Sequence, residues 1–213
     1  MRPKDAASLI VYKFRRNRIA VLMGRRRARA TFAPGMYVFP GGRPDGEDFR
    51  IQPAAGFDHR LVTDRAAFKS PRHACGLALA AVRETFEETG LLLAETGNIH
   101  RVRHPSWRAF RQRGLAPAID RLHYIGRAIT PTVNQQRFHA RFFAIPADYL
   151  TGRLGGDGEL LDLRWVPVGN PDGLPMFDVT EFMLAEFVRA DSGRRGGTPV
   201  LSYRRGTALI RYQ

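Results

Sequence analysis

The stretch from Ser70 to Gly90 constrains the fold of this chain most, because it carries a complete set of helix signals. Ser70 is a favourable N-cap residue, Pro71 fits the first helical turn, and Gly90 is a typical residue at which a helix ends. At about 100° per residue, one face of this helix is an apolar stripe formed by Cys75, Leu79, Val82 and Phe86. We therefore expect the helix to pack this stripe, including the Cys75 thiol, against a core.

The opposite face of the same helix carries three carboxylates within one turn. With Glu84 at about 0° on the helical wheel, Glu87 falls at about 300° and Glu88 at about 40°. Like charges at this spacing repel each other by about a few tenths of a kcal/mol per pair, and the helix C-terminus disfavours anions. A solvated acidic face explains the spacing alone. A bound cation explains it as well, and ligands that offer only oxygen would select Mg²⁺ or Mn²⁺.

The longer motif around these carboxylates resembles a known family signature. Residues 83–91 read Arg-Glu-Thr-Phe-Glu-Glu-Thr-Gly-Leu, which resembles the core of the Nudix hydrolase signature, Gly-x5-Glu-x7-Arg-Glu-U-x-Glu-Glu-x-Gly-U, where U is aliphatic. An alignment without gaps departs from this signature, since Lys69 stands at the position of the first glycine and Cys75 at that of the first glutamate.

An alignment with a gap fits the first half of the signature better. Gly42 and Asp48 then take the glycine and glutamate positions, with aspartate in place of glutamate. From Asp48 to Arg83 there are 34 intervening residues where the signature has seven. The resemblance therefore implies a split Nudix box with an insertion over about residues 43–70.

The split box, preceded by Phe39-Pro40-Gly41-Gly42, is similar to the Nudix subgroup of coenzyme A and acyl-coenzyme A diphosphatases. A coenzyme A element of related enzymes is matched in part, at Leu22, Arg26, Gly35 and residues 39–42. The resemblance implies metal-dependent hydrolysis of the diphosphate in a nucleoside diphosphate derivative, with coenzyme A or an acyl-coenzyme A as the best single substrate.

Two other functions stay open at this point. One is hydrolysis of ADP-ribose, a dinucleotide or a nucleoside triphosphate. The other is a non-catalytic Nudix module that binds nucleotide or nucleic acid, although such a module has no need to keep all three carboxylates.

The resemblance also assigns roles to individual residues. It implies that Mg²⁺ or Mn²⁺ is held by Glu84, Glu87 and Glu88, that Arg83 braces these carboxylates, and that Glu87 and Glu88 take part in catalysis. A carboxylate of this helix or of a distant loop would accept the proton of the attacking water. Of the loop candidates Glu159 is preferred over Asp157, though both also suit an ordinary polar turn. The residues expected to bind substrate are Arg26, Phe39, Gly41 and Gly42.

Hydrophobic patterning predicts an α+β protein. We expect strands over about residues 7–14, 19–23, 36–39, 122–130, 137–145 and 161–166 and a hairpin over 199–212, with helices over about 70–90, 106–113 and 178–190. The resemblance adds a Nudix fold, a mixed sheet sandwiched between helices, formed by one domain over residues 1–213. Within it, His73 is expected on the surface, whereas Trp107 and Trp165 are expected in the core.

Composition limits the partners. The formal charge is +14, and all but Lys4, Lys13 and Lys69 of the 34 basic residues are arginine. An arginine-rich composition explains this charge, as does a polyanionic small substrate; nucleic acid is a weaker explanation because the arginines are spread along the chain. A single cysteine excludes an intrachain disulfide, and no apolar run is long enough for a membrane span. We expect a cytoplasmic protein without a membrane partner, and a homodimer stays open.

Overall fold

The computed structural model describes residues 2–15, 18–30, 33–56, 64, 66–134, 136–169, 173–191 and 196–213. Residues 57–63 and 65 of the expected insertion lie outside this part of the chain. The helices are α1 (Pro71–Thr89), α2 (Pro105–Gln112) and α3 (Asp178–Asp191). The strands are β1 (Lys4–Arg15), β2 (Arg18–Arg26), β3 (Tyr37–Val38), β4 (Gly41–Gly42), β5 (Leu91–Leu92), β6 (Ala94–Thr96), β7 (Leu115–Pro117), β8 (His123–Ile129), β9 (Phe138–Pro146), β10 (Thr151–Gly152), β11 (Leu160–Pro167), β12 (Pro199–Arg204) and β13 (Thr207–Tyr212).

The main sheet is mixed, as the sequence predicts. Its strands lie in the order β11-β2-β1-β9-β8-β12-β13, while β3 pairs with β2 and β4 pairs with β1. The pairs β1–β9 and β8–β12 are parallel, and the other pairs of this sheet are antiparallel. Strands β12 and β13 form the hairpin predicted over residues 199–212, which turns at Arg205-Gly206. The short strands β4, β5, β6, β7 and β10 are not predicted by hydrophobic patterning, because two or three residues are too few to establish a period.

Each face of the sheet supports its own layer of core. Alternation along β1 sends Leu9 and Val11 to the layer that contains α1, and Ile10 to the layer that contains Met183 and Phe187 of α3. The sheet therefore lies between helices, which confirms the α+β prediction. Among the described residues, none of the helices combines the length and apolar character needed to cross a membrane.

Helix α1 has the predicted bounds. The side chain of Ser70 accepts a hydrogen bond from the backbone N–H of His73 at 3.1 Å, and Gly90 ends the helix in a left-handed conformation with φ of 75°. The apolar stripe packs against the core, with Leu79 and Val82 fully buried and Cys75 and Phe86 partly buried.

His73 is buried, so the prediction of a surface histidine is wrong. Its Nε2 lies 3.1 Å from Asp5 Oδ2, and its Nδ1 accepts a hydrogen bond from the backbone N–H of Lys69 at 3.2 Å. The ring of Phe49 stacks nearly parallel to the imidazole ring. Asp5 at the start of β1, together with Phe49 and Lys69 of the expected insertion, thus covers this face of α1.

Candidate active site

The three carboxylates of α1 lie close together but in different surroundings. The side chain of Glu84 is 15% exposed and that of Glu87 is 22% exposed, whereas Glu88 is buried. Arg83 reaches two of them, since its Nη1 lies 3.0 Å from Glu84 Oε1 and 3.1 Å from Glu87 Oε2. The solvated acidic face considered from the sequence is therefore not what α1 presents.

The carboxylate of Glu88 is held by the backbone of Gly41, the first residue of β4. The backbone N–H of Gly41 donates a hydrogen bond to Glu88 Oε2 at 2.8 Å. Burial raises the pKa of Glu88 well above its usual range, and the neighbouring charges of Glu84 and Glu159 raise it further. In these surroundings, the carboxylate of Glu88 is stabilised by binding either a proton or a cation.

Glu84 lies directly against Gly42. A Cβ atom added at Gly42 would be 2.5 Å from the carboxyl carbon of Glu84, so only glycine leaves room for this approach. Burial raises the pKa of Glu84 to about 7; the positive charge of Arg83 opposes this rise, and the charge of Glu87 adds to it. The two predicted substrate-binding glycines thus contact the carboxylate helix itself.

Arg83 lies beneath the carboxylates and is paired with Asp48. Its Nε is 3.0 Å from Asp48 Oδ1, and its Nη2 is 3.1 Å from Asp48 Oδ2 and 2.9 Å from the carbonyl oxygen of Arg43. Asp48 is fully buried and also accepts a hydrogen bond from Trp107 Nε1 at 2.9 Å. Trp107 lies in the core, as predicted, and it closes the far side of this ion pair.

Glu87 turns toward α2, a contact that sequence reasoning missed. Ser106 Oγ donates a hydrogen bond to Glu87 Oε1 at 2.5 Å, and His104 Nδ1 lies 3.7 Å from the same oxygen. Arg83 Nη1 contacts both carboxylate oxygens at 3.1 and 3.2 Å. A serine just after Pro105 is the one signal in the sequence, and an ordinary helix start explains it equally well.

The glycine-rich segment 155–159 docks on the last turn of α1. The backbone N–H of Gly155 donates to the carbonyl of Thr89 at 2.9 Å, and that of Asp157 donates to the carbonyl of Glu87 at 2.8 Å. These bonds satisfy carbonyls that have no partner within the helix. The predicted loop carboxylates are thereby placed beside the end of α1.

The two loop carboxylates point to different partners. Asp157 Oδ1 accepts a hydrogen bond from the backbone N–H of Glu159 at 2.8 Å, so it stabilises its own loop. Glu159 reaches across to Arg26, whose Nη2 donates to Glu159 Oε1 at 2.9 Å. Arg26, predicted to bind substrate, is therefore already paired with the preferred loop acid.

A pocket of about 820 Å³ brings these groups together with apolar side chains. The charged residues and glycines that line it are Arg26, Arg27, Arg29, Gly41, Gly42, Arg43, Glu84, Asp157 and Glu159. Its apolar lining includes Phe39, Phe138, Phe142, Phe177 and Val179. Phe39 is buried in the core layer of α3, so it supports the wall of the pocket.

The donor chemistry of α1 suits a divalent cation. Glu84 and Glu88 offer carboxylate oxygens beside the close backbone of Gly41 and Gly42, and a hard cation would offset the charges that now raise the pKa of both groups. Within the part of the chain that the structure describes, no group of three His, Cys, Asp or Glu side chains has the arrangement of a metal site. The set Glu84, Glu87 and Glu88 stays a prediction.

Comparison with solved structures identifies the architecture. The chain is similar to a Nudix hydrolase from Alicyclobacillus acidocaldarius, with a TM-score of 0.65 and 28% identity over 87% of this chain and 90% of that chain. It is also similar to a MutT Nudix hydrolase from Burkholderia pseudomallei, with a TM-score of 0.51 and 15% identity over 87% of this chain and 98% of that one.

A third similar structure is the Nudix domain of Shewanella oneidensis NrtR in complex with ADP ribose, with a TM-score of 0.50 and 11% identity over 89% of each chain. The sequence matches no family model and no curated protein. The similarity to the Alicyclobacillus acidocaldarius enzyme nevertheless shows a Nudix fold and supports a Nudix-type hydrolase.

Proposed function

We propose that this protein catalyses metal-dependent hydrolysis of the diphosphate in a nucleoside diphosphate derivative, with coenzyme A or an acyl-coenzyme A as substrate. The observation that carries the reaction type is the pair Glu84 and Glu88. Both carboxylates lie against the Gly41–Gly42 backbone, and Glu84 lines the pocket of about 820 Å³. A diphosphate needs its charge neutralised before water can attack phosphorus, and carboxylates that bind Mg²⁺ or Mn²⁺ provide the means.

The contacts of Asp48 support the split Nudix box, and with it the subgroup. Asp48 makes a buried ion pair with Arg83, so two positions that the gapped alignment places in one signature meet in the structure. The residues of the ungapped alignment lie elsewhere: Lys69 Nζ pairs with Asp5 at 3.0 Å, and Cys75 packs against the core. The segment over about residues 43–70 is then an insertion within one domain, whose two core layers share one sheet.

The roles of individual residues follow from their contacts. Glu84, Glu87 and Glu88 would hold Mg²⁺ or Mn²⁺, and a cation held there would supply charge neutralisation for the diphosphate and orientation of the attacking water. Glu159 is the group that accepts the proton of this water, since it is half exposed at the pocket and lies on a loop fixed to α1. Arg83 contacts carboxylates rather than the pocket and positions them.

The lining of the pocket supports a substrate that carries both phosphates and an apolar group. Four arginines, Arg26, Arg27, Arg29 and Arg43, line the pocket. Arg26 contacts Glu159 through Nη2, and a guanidinium has five N–H donors, so Arg26 can hold Glu159 and still donate to a phosphate. The aromatic side chains of the lining suit a base or an acyl group.

One assay tests reaction and substrate together. The protein is incubated with Mg²⁺ and, in parallel, coenzyme A, dephospho-coenzyme A, ADP-ribose and a nucleoside triphosphate, and products are identified by mass. We expect adenosine 3′,5′-bisphosphate and 4′-phosphopantetheine from coenzyme A. Replacing Glu87 or Glu88 by Gln should reduce turnover by orders of magnitude, because this substitution removes ligand charge and keeps the shape.

The substrate assignment has its own control. Arg26→Ala should lower kcat/KM for coenzyme A about ten- to a hundred-fold more than for dephospho-coenzyme A, since the second lacks the 3′-phosphate. Any effect of Arg26 through Glu159 acts on both substrates and cancels in this ratio. Much faster turnover of ADP-ribose would refute the coenzyme A assignment and retain the metal chemistry, whereas no turnover of any compound would favour a binding module.

A further inference from the structure

We propose that Ser106, in the first turn of α2, is a positioning residue that fixes the carboxylate of Glu87. The proposal rests on the function proposed above, in which Glu87 is a metal ligand. Ser106 donates its hydroxyl hydrogen to Glu87 Oε1 at 2.5 Å, and the residue is only 7% exposed. A hydrogen bond to an ionised carboxylate is about twice as strong as one between neutral groups.

The hydroxyl of Ser106 is not needed to cap its own helix. The side chain of His104 caps α2, because its Nδ1 accepts the hydrogen bond from the backbone N–H of Ser106 at 3.4 Å. His104 Nδ1 is an acceptor in this bond and lies 3.7 Å from Glu87, too far for a hydrogen bond. Ser106 is therefore the group of α2 that donates to the carboxylate.

The bond of Ser106 opposes rotation of Glu87. Arg83 contacts both oxygens of Glu87 through the single nitrogen Nη1, which leaves the carboxylate free to turn about this contact. A second donor on one oxygen selects one orientation, and it also determines which lone pairs remain for a cation.

The first turn of α2 is itself anchored by Glu47 and Asp48, which precede α1 in the sequence. The carboxylate of Glu47 accepts hydrogen bonds from the backbone N–H groups of Arg103 at 2.7 Å and His104 at 2.6 Å. The next residue, Asp48, accepts one from Trp107. Ser106 is thus held on a turn fixed at both sides, as a positioning residue must be.

The decisive comparison uses substitutions at position 106 that differ in the hydroxyl. Ser106→Ala and Ser106→Val remove the donor, whereas Ser106→Thr keeps it and has the shape of the valine variant. Ser202→Ala is the matched control, since Ser202 lies on β12 and its hydroxyl bonds the carbonyl of Leu209. The affinity of the substrate-free protein for Mn²⁺ is measured by electron paramagnetic resonance, and kcat and KM are measured separately.

We expect Ser106→Ala to weaken Mn²⁺ binding or lower kcat about ten- to a hundred-fold, with little change in KM. Ser106→Thr should recover most of this loss, and Ser202→Ala should match the unmodified protein. If Ser106→Ala fails to fold, the Thr and Val variants decide the question. Equal values for Thr and Val, or an alanine variant with unchanged Mn²⁺ affinity and kcat, would overturn the proposal.

Glu87→Gln separates this inference from the proposed function. If Glu87→Gln keeps normal metal binding and turnover, Glu87 is not a ligand and the proposed metal set fails. If Glu87→Gln is inactive and Ser106→Ala is normal, only the role of Ser106 fails. If Glu87 is a ligand and Ser106 positions it, adding Ser106→Ala to Glu87→Gln should cause no further loss of metal binding or turnover, because the group that Ser106 positions is already changed.

Discussion

The partly buried carboxylate of Glu84 should make the metal-free protein less stable as the pH rises. Burial raises the pKa of Glu84 to about 7 from the ordinary 4.5. A difference of one pKa unit between the folded and unfolded states corresponds to about 1.36 kcal/mol. Ionised Glu84 therefore lowers the free energy of unfolding by about 3 kcal/mol. This stabilising contribution of the protonated form is fully present below pH 4.5 and is lost as the pH rises to about 7.

Glu84→Gln removes this dependence, because an amide does not ionise. With a chelator present, urea denaturation of the unmodified protein and of Glu84→Gln should give similar free energies of unfolding at pH 4.5. At pH 8 the variant should be more stable by about 3 kcal/mol. Adding Mg²⁺ at pH 8 should stabilise the unmodified protein more than the variant, since a cation bound to the folded state shifts unfolding by mass action.

Glu181→Gln is the matched control, since Glu181 is an exposed carboxylate on α3. This substitution should leave the pH dependence of stability unchanged. If the difference in the free energy of unfolding between the unmodified protein and Glu84→Gln is the same at both pH values, the electrostatic reasoning is refuted.

Three other substitutions test the geometry of the site. Cys75→Ala should keep full turnover and lose about 1 kcal/mol of stability, because Cys75 packs on the core side of α1; a folded but inactive variant would favour the ungapped alignment. Gly42→Ala should lower turnover strongly in a kinetic assay, because its Cβ would lie 2.5 Å from the Glu84 carboxyl carbon, whereas Gly46→Ala has open space and should be normal. Asp48→Ala should lower the free energy of unfolding by about 3 kcal/mol in urea denaturation, because it breaks the buried ion pair with Arg83 and leaves Arg83 Nε and Trp107 Nε1 without their acceptor; a loss below about 1 kcal/mol would contradict this.

Local signals in the sequence predict α1 and the long strands well. Ser70, Pro71 and Gly90 each act on the backbone within one turn, so the bounds of α1 follow from neighbouring residues alone. The period of the apolar residues determines which face of the helix is buried. The same local rule places Glu84, Glu87 and Glu88 on one face, although it does not fix which way each side chain turns.

Contacts between distant elements could not be predicted in this way. Glu87 and Ser106 are 19 residues apart, and only the packing of α2 on α1 brings them together. His73 was expected at the surface because it shares a face with the carboxylates, but Asp5, which lies 68 residues away, covers it. The pairing of Arg26 with Glu159 likewise depends on β2 and β11 being neighbours in the sheet.

The chain between Asp48 and Ser70 is anchored at both ends on the same helix. Asp48 pairs with Arg83, and Ser70 caps the first turn, so the two anchors are separated by about 20 Å along α1. The conformational entropy needed to close a loop grows slowly, by about 0.6 kcal/mol for each doubling of its length. Residues can therefore be gained or lost between these anchors while the carboxylates keep their places. This segment is where relatives could diverge in surface and partners while retaining one chemistry.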